Sequence, residues 1–157
     1  MFYLALKTVH IGAALLFLGA GLMTAWYKLR ADRSGDLRVV VWAQREIVRA
    51  DWVFTTPSAI LLPTTGVWMA LRTSQPLFSG WVGVGVVGFI VTGLLWLPAV
   101  RLQIRMRRLA EAALAADTEL PAEFHRLNRI WLALGVPAFL LALAIVWVMV
   151  AKWQALP

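Results

Sequence analysis

Cysteine is absent from this 157-residue chain. That excludes disulfides, thiolate metal sites and cysteine-held iron–sulfur clusters. Acidic residues are scarce, eight against fifteen Lys and Arg, and histidine occurs twice, at His10 and His125. The acids cluster outside the apolar runs, so no pair of membrane carboxylates is available for a divalent ion. H-E-x-x-H, G-x-S-x-G and the P-loop are all missing, which removes the zinc protease, serine hydrolase and nucleotide-phosphate classes. A net charge of +7 would ordinarily suggest nucleic acid. Here no soluble domain exists to carry a basic groove, so no nucleic-acid partner is expected.

What the chain has is apolar length. Hydrophobic residues make up 61%, against an apolar share of roughly 45–50% in soluble domains. Four runs approach the ~20 residues that cross a hydrocarbon core: about 3–27, 52–71, 77–100 and 131–151. The fold expected is all-α, a single integral membrane bundle of four transmembrane helices over residues 1–157 with cytoplasmic helical extensions. Residues 28–51 break at Ser34-Gly35-Asp36 and become helical from Leu37 to Ala50. Arg101 to Ala116 reads as an amphipathic continuation of the third span. Pro63 and Pro137 fall inside spans and predict bends. The third span contains Gly83-Val84-Gly85-Val86-Val87-Gly88, which matches G-x-G-x-x-G. A wholly apolar helix lacks the strand–turn–helix setting that this pattern needs, so the glycines are expected to let helices approach closely.

Aromatic and charge placement agree with these limits. Tyr3, Trp26, Trp52, Trp68, Trp81, Trp96, Trp131, Trp147 and Trp153 fall near proposed span ends, where amphipathic rings prefer to lie. Six bases occupy the first connection, only Arg72 the second, and six the third. The positive-inside rule then puts connections one and three in the cytoplasm and both termini in the periplasm. Arginines of 28–49 and 101–108 are expected to meet anionic lipid head groups.

Two ionisable residues, Lys7 and His10, lie inside the first span, and such residues are functional candidates by default. His10 sits about 10 Å below the outer face at ~1.5 Å per residue. Lys7 is one turn outward, and Ala13, Ala14 and Phe17 continue the stripe. A neutral imidazole there is a candidate axial ligand for haem iron; the alternative is a histidine hydrogen-bonded to a neighbouring helix. At that depth the second span offers Thr64, Thr65 and Met69, and the fourth offers Met149. A second axial ligand would come from Met69, Met149 or the Lys7 amine. His125, at the opposite end, reads as an interfacial residue. Asp51 at the start of the second span reads either as a helix cap or as a polar pocket or proton access point.

Tyr3-Leu4-Ala5-Leu6-Lys7-Thr8-Val9-His10-Ile11, Ala50-Asp51-Trp52-Val53-Phe54-Thr55-Thr56-Pro57 and Trp131-Leu132-Ala133-Leu134-Gly135-Val136-Pro137-Ala138-Phe139 resemble an uncharacterised family of bacterial predicted integral membrane proteins. The resemblance implies a bacterial inner-membrane location and no assigned reaction. A thinner likeness, a histidine about ten residues into a Gly- and Ala-rich first span, is similar to the four-helix haem-b protoporphyrinogen oxidases and the copper-resistance membrane domains. In the oxidases a first-span histidine and a third-span lysine are thought essential. His10 matches the former, and no lysine stands in the third span here. Two functions follow as expectations: a redox protein binding haem b through His10, or a non-catalytic accessory or assembly subunit. The latter would pack its Gly-rich third span against a membrane partner or a second copy. Whether the protein is an enzyme stays open.

Overall fold

A computed structural model describes residues 1–152; the expected end-of-span position of Trp153 lies outside the described residues. Helix α1 covers Phe2–Asp32, α2 Leu37–Ala50, a five-residue π-turn Asp51–Thr55, α3 Thr56–Arg72, α4 Gly80–Ala115 and α5 Ala122–Ala151, with no strand among the described residues. Three of these helices, α1, α4 and α5, are long and apolar enough to cross a membrane. Their outward faces are apolar too. Leu15, Ile90, Leu140 and Trp147 all stand exposed, as lipid-facing side chains must.

The helix boundaries follow local chemistry. After α1, the Ser34 hydroxyl donates to the Ala31 carbonyl at 2.7 Å, and Gly35 takes a positive φ of 71° that a side chain would resist. Asp36 then caps α2 by accepting from the Arg38 N–H at 2.8 Å. Helix α4 ends at Ala115, one residue short of the expected break, and α5 begins after Pro121. Helical structure runs on through Pro63, Pro98 and Pro137. Beyond Pro63 the Thr64 and Thr65 hydroxyls each donate to a carbonyl one turn back, Ile60 and Leu61, at 2.6 Å.

Helix α1 packs against α3, α4 lies along α5, and α2 bridges α1 to α4. The best-buried core sits at the arginine-rich end of the bundle. There Val40 and Val41 of α2 meet Ala99, Met106 and Ala110 of α4 and Phe124, Leu127 and Trp131 of α5. Arg45 pairs with Glu111 at 2.6 Å and joins the two basic connections, while Arg105 pairs with Glu123 and ties α4 to α5 within the third. The charge-bearing segments thus come together at one end of the molecule.

The glycines of α4 do what close packing predicts. A Cβ on Gly85 would fall 1.8 Å from Met149 Cε, and one on Gly88 would fall 2.9 Å from Ile145 Cγ1. Helix α5 of the same chain therefore packs closely on Gly85 and Gly88, while Gly83 meets the Phe78 backbone and Gly93 has open space beside it. The pattern Gly83–Gly88 lies wholly within a helix, which is not a nucleotide-binding turn.

Candidate functional site

His10 reaches from α1 to α3, where its Nδ1 lies 2.8 Å from Thr65 Oγ1. The Thr65 hydroxyl also reaches the Leu61 carbonyl at 2.6 Å; when it donates there, its oxygen accepts from His10 Nδ1–H, the arrangement that leaves the ring's lone pair on Nε2. Gly66 makes room for the ring, since a Cβ there would lie 3.2 Å from His10 Cε1. Nearer the start of α1, Phe2 lies edge-on to Trp68 at 5.3 Å, so the two contacts together set α1 and α3 antiparallel. Arg72 also lies over the Phe2 ring, at 5.6 Å.

The other residues expected near His10 divide. Met69, half-buried, stands one turn past Thr65 on the same face of α3. Thr64 points its hydroxyl back to its own helix and is exposed. Lys7 is exposed. Met149 lies over Gly85 in the α4–α5 seam. No cluster of three or more His, Asp or Glu able to hold a metal ion occurs among the described residues. His125 is exposed at the arginine-rich end, as expected.

Asp51 does not cap a helix. Helix α2 runs into α3 without stopping, and Asp51 opens the π-turn between them. Only 6% of it is exposed, and Thr55 and Ser58 behind it and Gln103 on α4 are buried as well. Asp51 Oδ2, Thr55 Oγ1 and Gln103 Oε1 are buried without a hydrogen-bond partner. Such π-turns recur at functional sites because the extra residue re-aims side chains.

One site is not anticipated by counting bases. Lys28, one of the six bases counted in the first connection, is fully buried. Its ammonium meets Asp32 Oδ2 at 2.8 Å, and the same oxygen accepts from Asn128 Nδ2 at 2.9 Å. The Phe124 and Trp131 rings lie 5.3 and 5.5 Å from Nζ, close enough for cation–π attraction. The i,i+4 spacing of Lys28 and Asp32 was a visible signal; the aromatic lid from α5 was not.

Among known proteins, the profile of a family described as predicted integral membrane protein (DUF2269) matches residues 4–153. No curated protein and no solved structure matches the chain, and the remote likeness to the haem-b oxidase and copper-resistance groups is not supported.

Proposed function

Since the chain belongs to the family of predicted integral membrane proteins DUF2269, we propose that it is a four-span bacterial inner-membrane protein that binds haem b through His10. The fourth span in this reading is α3. Its seventeen residues and the five of the preceding π-turn reach about 30 Å at ~1.5 Å per residue, the thickness of a hydrocarbon core. The charge asymmetry supports a periplasmic position for both termini.

The observation that carries the haem reading is the His10–Thr65 pair. A ligating imidazole characteristically donates its other ring N–H to a protein acceptor, which fixes the tautomer and the ring plane. Thr65 supplies that acceptor and leaves Nε2 free to bind iron. Met69 is the sulfur donor on the same side of α3, whereas Met149 is committed to the α4–α5 seam. Bound haem would supply one-electron redox chemistry; this chain's Thr65 and Gly66 position the imidazole. In the accessory-subunit reading a partner would meet α4 away from Gly85 and Gly88, which face α5, while Gly93 stands open.

Two experiments test the proposal. Protein purified in mild detergent from haem-replete cells should show a Soret band and reduced b-type peaks, both lost in His10→Ala. A featureless spectrum from folded wild-type protein overturns the haem reading. Topology is tested separately on the cysteine-free background. Ser34→Cys should be labelled by an impermeant maleimide only after the inner membrane is opened, and Thr73→Cys in intact spheroplasts. Labelling of both from the same side overturns the fourth span.

A further inference from the structure

Beside the π-turn, a groove of about 270 Å³ opens between residues 48–56 and the stretch Trp96–Ile104 of α4. Its walls are apolar. Its polar lining is Asp51, Thr56, Arg101 and Gln103, of which Asp51 and Gln103 are only 6% and 5% exposed. Asp51 Oδ2 and Gln103 Oε1 are buried acceptors without donors. Leaving such groups unpaired is costly, so the natural occupant brings N–H donors, preferably charged ones for the carboxylate. At the rim Arg101 is exposed and has no ion-pair partner among the described residues. Trp52, 64% exposed, and Leu97 leave the side of the groove open laterally. In the four-span reading, on which this inference rests, that opening faces lipid at the depth where tryptophan side chains settle.

An anchored acceptor, a free guanidinium and an apolar exit toward the bilayer match one chemical class. We propose that this groove binds the head group of phosphatidylethanolamine, with its primary ammonium donating to Asp51 and Gln103 and its phosphate meeting Arg101. The acyl chains leave along Trp52 and Leu97. Phosphatidylcholine offers the same phosphate but a quaternary nitrogen without N–H, and phosphatidylglycerol offers no cation for the carboxylate. The inference is independent of whether haem is bound.

The test is native mass spectrometry of delipidated full-length protein in mild detergent, titrated with phosphatidylethanolamine, phosphatidylcholine and phosphatidylglycerol. Wild type should retain phosphatidylethanolamine about tenfold more tightly than phosphatidylcholine, the worth of a charge-assisted hydrogen bond. Asp51→Asn should erase that ratio. Arg101→Gln should weaken both lipids alike and leave the ratio standing. Successive N-methylation of the ethanolamine should lower retention stepwise in wild type, a readout that needs no variant to fold. Equal retention of the two lipids by wild type, or a ratio that survives Asp51→Asn in folded protein, overturns the proposal. A failed fourth span would instead appear in the cysteine labelling, while head-group selectivity is read in detergent without reference to topology.

Discussion

Lys28 Nζ lies 2.8 Å from Asp32 Oδ2, and the lysine is fully enclosed where α1 meets the start of α5. Taking an ammonium out of water is unfavourable, and here the carboxylate, held also by Asn128, offsets that. Asp32→Ala would leave the cation buried and unpaired. We expect a loss of about 3–5 kcal/mol, read as a lower midpoint in thermal unfolding followed by tryptophan fluorescence in detergent. Replacing both residues together, Lys28→Met with Asp32→Leu, should recover most of the loss, since no uncompensated charge remains.

The two closest glycine approaches in α4 should respond in the reverse order of their distances. A Cβ at Gly85 would meet only the mobile end of Met149, whereas one at Gly83 would meet the backbone carbonyl carbon of Phe78 at 2.5 Å. A methionine tip can rotate away and a backbone cannot. Gly83→Ala should therefore destabilise by about 1–3 kcal/mol. Gly85→Ala should be close to neutral, since the helix-propensity gain of roughly 1 kcal/mol offsets the repacking. Thermal midpoints of the two variants decide; a larger loss at Gly85 would contradict the ordering.

If Thr65 orients His10 for iron, removing its oxygen should act without touching the ligand. Thr65→Val should lower haem retention by about 10- to 100-fold, the usual effect of losing an outer partner of a ligating histidine. Thr65→Ser should retain it. Spectroscopic titration with hemin checks both.

Much of this architecture is legible in the residues themselves. Apolar runs, Gly35, Asp36 and Pro121 mark where helices begin and end, because those limits depend on neighbours a few positions away. The sequence also isolates His10 as a polar group in an apolar helix and names Thr65 among its partners, since depth in the bilayer restricts which residues can meet. It could not choose between Thr64 and Thr65, which differ by a rotation of about 100° on α3. Nor could it show that the α2–α3 junction stays helical as a π-turn, which makes Asp51 a buried acceptor instead of a cap. The fate of Lys28 is decided farther away still. Whether a base after a span meets lipid head groups or lies under Phe124 and Trp131 depends on residues nearly a hundred positions later. Local propensity and hydrophobic length act along the chain and are written in it. Burial of a charge depends on which helices close over it, and only the packed tertiary structure determines that.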